Sequence, residues 1–378
     1  MKEAIILVDL QIGQVSFSFS ANLILAPAPH LRVKMELFDC SPQKYASFPH
    51  WLRRQLFESP RPVSDVDLTG KVAIVTGANQ GIGFEVADQL LALKVDKLII
   101  GARNEDKGKS AAKILEAKYK LTPGSIEVWK LDMLDYATIT KFGERANQLK
   151  NLDIAVLNAG IFRKEMIINE LTGHEEDIQT NYLSTVLLTL LLLPTLESKK
   201  RASNLPGRLT IVSSDMSGMT KFVEQDGDPL LAVLDKRDAY KWDAFERYGT
   251  SKLLGQLFLA ELAKHVSPSA VIINAANPGL CHGSGLSRDV EGEGIAYRAA
   301  MALYFALLGR KSAVGAHVVM NAALKQGEKS HGQAIDGNKI RPMGPFVYSP
   351  KSAEVTRRLW KETMKELSFA NIEISGRV

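Results

Sequence analysis

Cysteine is scarce in this chain: Cys40 and Cys281 are the two among 378 residues. They make neither a disulfide framework nor a CxxC metal pair, which excludes a disulfide-stapled scaffold and predicts a reducing, intracellular compartment. A charge imbalance is also missing, with 47 Lys and Arg against 42 Asp and Glu, a net of +5 and a pI near 8.9. The basic residues are scattered, so no nucleic-acid partner is expected, while an anionic small molecule stays open. No unbroken apolar run reaches the roughly 20 residues needed to span a bilayer. Residues 4–25 are interrupted by Asp9, Gln11, Gln14 and serines, and residues 186–196 are short and hold Pro194. Lys2, Glu3 and Asp9 make the start a poor signal peptide. Repeats and low-complexity tracts are absent. His174, His317 and His331 stand isolated without ligand spacing, so no metal is expected.

What is present suits a globular protein: 46% hydrophobic and 24% charged residues supply a substantial core. Composition sets residues 1–65 apart as an N-terminal extension, leaving one domain over 66–378. Within the extension, residues 1–34 read as weakly ordered, and Met35 offers an alternative start. Residues 45–57 (YASFPHWLRRQLF) pattern as an amphipathic helix, packed on the domain or covering a site mouth in preference to anchoring a membrane. The expected location is cytoplasmic, with peripheral membrane association through this segment as the alternative. Ser59-Pro-Arg-Pro reads as an extended linker.

From residue 68 on, short β-branched runs alternate with helical patterns. Strands are expected at 71–76, 97–102, 126–131, 154–158, 209–213 and 271–275. Helices are expected around 83–93, 107–118, 136–148, 176–196 and 244–264. This alternation predicts an α/β fold, a doubly wound parallel (Rossmann) sheet in a three-layer α/β/α sandwich. The polar stretch 225–238 with Asp-Gly-Asp-Pro reads as a surface loop or insertion.

The first strand runs into Thr76-Gly-Ala-Asn-Gln-Gly-Ile-Gly83. Gly77 permits a tight turn, Gly81 lets the backbone approach a pyrophosphate, and Gly83 allows close helix packing, with Asn79, Gln80 and Ile82 completing the loop. A helix start here would turn its free N–H groups toward phosphates, so a strand–loop–helix of this kind predicts dinucleotide binding over an ordinary turn. After the second strand stands Arg103, where an acidic residue would favour NAD(H); a guanidinium can pair with a 2′-phosphate, so NADP(H) is expected. Tyr248 and Lys252 in YGTSK lie four apart on one helical face, where an ammonium would lower the phenol pKa.

Together these residues resemble the short-chain dehydrogenase/reductase superfamily over residues 68–367. Further likenesses are Leu131-Asp132, similar to the adenine-contacting aspartate, Asn158-Ala159-Gly160 after the fourth strand, Asn181 in QTNYLSTVLLT, Ser214 in Val-Ser-Ser, and Asn277-Pro278-Gly279. The resemblance implies Tyr248 as acid/base, Lys252 as ribose ligand and pKa modulator, Ser214 as the hydrogen-bond donor to the substrate oxygen, and Asn181 as holder of a water linking Lys252 to solvent. It implies that Asp132, Asn158, Ala159, Gly160, Pro278 and Gly279 line the cofactor. Of Ser213 and Ser214, the second is chosen because such pairs usually place the role there. GARNEDKGKSAAKI, IEVWKLDM, NPGLCHGSGLSRD and FPHWLRRQLFESP are similar to retinol-dehydrogenase-like reductases of fungal secondary metabolism. Two departures stand out: Gly283 and Ser284 replace a threonine, and Leu157 replaces an asparagine.

The resemblance thus implies an NADPH-dependent carbonyl reductase, reversibly an alcohol dehydrogenase, for a bulky apolar, polyketide-like ketone. Two alternatives remain: retinol-like alcohol oxidation at the same site, and a non-catalytic NADPH-binding scaffold or sensor. Cys281-His282 reads as loop lining. The apolar helices around 186–196 and 248–262 suit either a homodimer interface or burial within one subunit. The segments at 280–297 and 225–238 are long enough to act as a roomy, mobile lid.

Overall fold

The computed structural model describes residues 10–12, 15–17, 38–197, 205–283 and 303–372. Within the extension, β1 (Leu10–Ile12) pairs antiparallel with β2 (Val15–Phe17), and the rest of residues 1–34 lies outside the described residues. The amphipathic pattern folds as α1 (Pro42–Ala46) and α2 (Phe48–Phe57), separated at Ser47 in extended geometry. Trp51, Arg54 and Gln55 are the buried face of α2.

The domain then alternates as the sequence predicts. In chain order come β3 (Val72–Thr76), α3 (Gly81–Ala92), β4 (Lys97–Ala102), α4 (Glu105–Tyr119), β5 (Ile126–Lys130), α5 (Tyr136–Asn147), β6 (Ile154–Leu157), α6 (Glu176–Glu197) and β7 (Gly207–Val212). After them follow α7 (Leu230–Leu234), α8 (Ala244–Leu262), β8 (Val271–Ala276), the short parallel pair β9 (Cys281–His282) and β10 (Arg310–Lys311), α9 (Ser312–Leu324), β11 (Ala334–Asp336), β12 (Lys339–Arg341) and α10 (Ser352–Glu366).

One eight-stranded sheet has the order β12-β11-β8-β7-β6-β3-β4-β5, parallel throughout except for β12. Alternate residues of each strand enter two separate cores. Ile74, Ile99, Leu157 and Leu209 meet α5, α6, α8 and α10, while Val75, Ile100, Val156 and Val212 meet α3, α4 and α9. Each fully buried Leu or Ile contributes about 1.5–3 kcal/mol of transfer free energy, so both faces must be covered. The chain order reverses between β3 and β6, and the crevice beyond their carboxyl ends is where such sheets hold ligands.

Helices α9 and α10 lie beyond the five expected helices, and three further local features depart from the sequence expectation. The 225–238 stretch is not all surface loop: its apolar Leu230, Leu231 and Leu234 are buried in α7, whose first amides donate to the Glu362 carboxylate at 2.9 and 2.8 Å. β11 and β12 extend the sheet beyond the six expected strands. Helix α6 is α-helical at Glu176–Ile178 and Ser184–Glu197, with a π-helical stretch at Gln179–Leu183 between them.

Candidate active site

The glycine loop is shaped by the end of β3. Gly77 and Gly81 sit at φ +67° and +59°, the left-handed region where side chains are strained. A Cβ on Gly83 would lie 2.5 Å from both the Gly77 carbonyl oxygen and Asn158 Nδ2. Buried Thr76 joins this loop to the next: its Oγ1 accepts from the amides of Asn158 and Ala159, both at 3.0 Å, while Asn158 Nδ2 donates to the Thr76 carbonyl at 3.0 Å. Sequence reading missed Thr76, although it stood in the motif. Asn79, Gln80 and Ile82 are half-buried around the turn. Asn104, Asp135 and Asp243 cap α4, α5 and α8 with their side chains, whereas Gln80 gives α3 no such cap. The first amides of α3 therefore take no side-chain cap, which fits a dinucleotide phosphate, while Gly83 lets the helix pack directly on Gly77 and Asn158.

Beyond β4, the side chain of Arg103 is exposed, and its carbonyl accepts from Lys130 Nζ at 2.7 Å. Lys130 brings a second cation to this corner that the sequence reading did not single out. Asp132 lies in the turn after β5, where its Oδ1 accepts the Leu134 amide at 3.1 Å.

Tyr248, Lys252, Ser214 and Asn181 come together beside the ends of β6 and β7. Lys252 Nζ donates to the Val212 carbonyl at 3.1 Å and lies 5.7 Å from the Tyr248 ring centroid. Ser214 hydrogen-bonds the Tyr248 hydroxyl, whereas Ser213 Oγ accepts from buried Gln256 Nε2 at 3.1 Å. Asn181 sits in the π-helical stretch, a geometry that recurs at functional positions. Its Oδ1 accepts the Ile161 amide at 2.9 Å, and its Nδ2 donates to the Ile161 carbonyl at 2.9 Å and to Ser251 Oγ at 3.0 Å. Ser251 in turn donates to the Tyr248 carbonyl at 2.8 Å, tying Asn181 to the helix that carries the tyrosine. A Cβ on Gly160 would lie 2.9 Å from Asn181 Oδ1 and 3.4 Å from Lys252 Nζ, so a side chain there would displace Asn181.

The electrostatics differ from the sequence expectation. Burial raises the Tyr248 pKa well above the ordinary tyrosine value, and the Ser214 hydrogen bond only partly opposes it. Lys252 does not lower the phenol because the ammonium is itself buried: desolvation brings its pKa down to about 8 despite the nearby Asp177 carboxyl. Burial and the neighbouring Glu175 also push Asp177 up; its Oδ2 accepts the Arg163 amide at 3.0 Å and its Oδ1 lies 3.4 Å from Asn181 Nδ2.

Pro278 is buried, and Gly279 turns at φ +74° beside the end of β8. Leu157 is a core residue, 2% exposed, so its departure from the family pattern is one of packing. Gly283 sits at φ +78°, and Ser284 lies outside the described residues, as does most of the 280–297 segment. Cys281 is buried with its thiol pushed up to about 12 by desolvation, while its neighbour His282 is exposed. The three isolated histidines take partners from protein: His174 from Asp235 and Glu366, His317 from the Pro60 carbonyl, His331 from the Ile273 amide and the Ala263 carbonyl.

Known proteins are similar to this chain in sequence and fold. The short chain dehydrogenase family model matches residues 71–225. Short-chain dehydrogenase fogG of Aspergillus ruber is 45% identical over 338 residues, covering 88% of this chain and 96% of its own. Short chain dehydrogenase/reductase mfmJ of Annulohypoxylon moriforme is 42% identical, with 88% and 96% covered. Among solved structures, Pseudomonas aeruginosa RhlG in its NADP active-site complex superposes with a TM-score of 0.53 at 21% identity, covering 72% of this chain and 96% of that one. A protein from Mycobacterium Paratuberculosis superposes with a TM-score of 0.58 at 23% identity, covering 83% and 99%; both likenesses are of fold. The chain belongs to the short-chain dehydrogenase/reductase family, oxidoreductases acting on alcohol and carbonyl groups.

Proposed function

We propose that this chain is an NADPH-dependent carbonyl reductase for a bulky apolar ketone of the polyketide type, with Tyr248, Ser214, Lys252 and Asn181 as its reactive set. The observation that carries the reading is the convergence of these four side chains at the carboxyl edge of β6 and β7, next to the glycine loop. Gly77, Asn79, Gln80, Gly81, Ile82 and Gly83 would hold the pyrophosphate, Asp132 and Asn158-Ala159-Gly160 the adenine side and its ribose, and Lys252, Pro278 and Gly279 the nicotinamide half. Arg103 at the end of β4, with Lys130 beside it and no carboxylate in Ala102-Arg103-Asn104, supports NADP(H) over NAD(H).

NADPH bound there would supply a hydride to the carbonyl carbon. Ser214 donates a hydrogen bond to the substrate oxygen, and Tyr248 gives it a proton as negative charge develops. Burial keeps Tyr248 in the phenol form that reduction needs at neutral pH, while making it a weaker acid than a free tyrosine. Asn181 and Ser251 hold the carbonyl of Ile161 and the start of YGTSK in register, so that Lys252 and Tyr248 keep one orientation. An apolar substrate is supported by the rings around the phenol: Phe162 lies 5.7 Å from Tyr248 and 5.2 Å from Phe245, centroid to centroid.

Fluorescence titration with NADPH and NADH, followed by turnover of polycyclic and aliphatic ketones, tests the reading. Tyr248→Phe is expected to bind NADPH as the native chain does and to lose roughly 10²–10⁴ in kcat, the usual worth of a positioned acid. Undiminished turnover in that variant overturns the assignment. NADPH binding with no turnover across the panel would favour a scaffold role.

A further inference from the structure

Adjacent strands β7 and β8 each release a loop into the site, one bearing Ser214 and the other Pro278 and Gly279. Helix α2 lies against both. Asp215, next to Ser214, accepts at Oδ1 from Arg54 Nη2 and from Asn277 Nδ2, each at 2.7 Å, and at Oδ2 from Trp51 Nε1 at 3.1 Å. Arg54 is 3% exposed, and its Nε lies 3.3 Å from Asp336 Oδ2, which also takes the Tyr45 hydroxyl at 2.6 Å. One turn-facing neighbour completes the contact: Gln55 accepts the Leu280 amide at 3.1 Å and donates to the Leu280 carbonyl at 2.9 Å. A Cβ on Gly279 would lie 2.7 Å from Gln55 Oε1, so α2 rests directly on that turn.

Buried charges persist only when each is paired, and two carboxylates sharing one guanidinium leave little freedom of position. Burial raises the Asp336 carboxyl to about 6, with the Asp215 carboxylate adding to the shift and Arg54 opposing it, as expected of a crowded, dry cluster. An arrangement of this kind fixes orientation more than it adds stability. Displacement of a reacting group by about 1 Å can cost 10²-fold in rate.

We propose that α2 is a positioning element of the reactive site: Arg54, acting through Asp215, sets Ser214 against Tyr248, and Gln55, acting through Leu280, sets the Pro278-Gly279 turn against the cofactor. The proposal rests on the reductase reading and extends it to a helix ahead of the dinucleotide fold.

The test uses the full chain and reads kcat, KM, the NADPH Kd and the thermal midpoint for each variant. Asp215→Asn is expected to lose at least tenfold in kcat with little change in ketone KM, and Arg54→Lys to retain part of the activity that Arg54→Met loses. Gln55→Met is expected to weaken NADPH at least fivefold by fluorescence titration. Arg53→Met, on the outer face of α2, should match the native chain. Because Arg54→Met strands buried carboxylates and its loss of fold would mask the effect, Asp215→Asn and Gln55→Met decide the matter. An unchanged kcat in Asp215→Asn, or an unchanged NADPH Kd in Gln55→Met, overturns the proposal and leaves α2 as packing alone. If the native chain binds NADPH yet reduces no ketone, the reductase reading fails by itself, and the Gln55→Met titration still judges α2.

Discussion

Lys252 shows how burial changes the chemistry that spacing alone suggests. Its place four residues from Tyr248 predicts a lowered phenol pKa; instead desolvation brings the lysine's own down to about 8. Its ammonium therefore discharges as pH rises through about 8, and kcat/KM for reduction should fall across that range. Lys252→Arg, which stays charged, should flatten the alkaline limb even though its activity is lower. An alkaline limb that persists unchanged in Lys252→Arg would mean another group titrates. At the cofactor end, Arg103→Glu places a carboxylate where a 2′-phosphate would lie. Losing one charge-assisted contact is worth about 1.5–3 kcal/mol, so NADPH should weaken roughly 10- to 100-fold while NADH changes less. Titration of both cofactors against both proteins checks this, and equal weakening would show that Arg103 does not discriminate.

At the scale of elements, His174 joins three parts of the chain that composition gives no reason to connect. Its Nδ1 lies 2.8 Å from Asp235 at the end of α7 and its Nε2 3.1 Å from Glu366 at the end of α10. Burial alone would lower its pKa, but the two carboxylates raise it to about 9. A group raised in the folded state stabilises fully below its unfolded value near 6.5 and loses that contribution as pH rises through about 9. At about 1.4 kcal/mol per pH unit the contribution is roughly 3 kcal/mol at most, and less where solvent screens the pairs. The difference in thermal midpoint between the native chain and His174→Gln should thus be large at about pH 6 and small near pH 9.5. A difference that does not vary with pH would remove the ion pairs from the account.

The same scale shows what the sequence discloses. The first six strands of the sheet were legible because β-branched runs bounded by glycine and asparagine mark them, and their observed bounds differ by a residue or two. β11 and β12 were missed although Gly337 and Asn338, at φ +54° and +67°, form the kind of tight turn that joins antiparallel strands. Three-residue strands offer too little alternation for a pattern to show. α9 was missed because a helix buried nearly all round, SAVGAHVVMNAAL, lacks a polar stripe. The proposed reactive set could be named from types and spacings, but its surroundings could not. Nothing local in the sequence joins Arg54 to Asp215 across 161 positions, and nothing in QTNYL signals a π-helical turn. Burial, which decides the charge state of Tyr248 and Lys252, belongs to the folded whole.

Across the whole molecule, the sheet separates two cores, and the larger one closes around α6. That helix is long and apolar enough to cross a membrane by length and composition, and 89% of its most apolar window is buried within the fold. Its cover comes in two stages: α5 precedes it in the chain, whereas α8 and α10 follow it, and all three line the same core. During synthesis, then, the whole of α8 must be added before the sheath of α6 is complete, and for that interval one flank of an apolar helix stands bare in water. A fragment ending at residue 238 should be insoluble or chaperone-bound while the full chain is soluble, as sedimentation of the two expressed in parallel would show. A helper that masks α6 would then raise the yield of native enzyme more than any substitution on its surface.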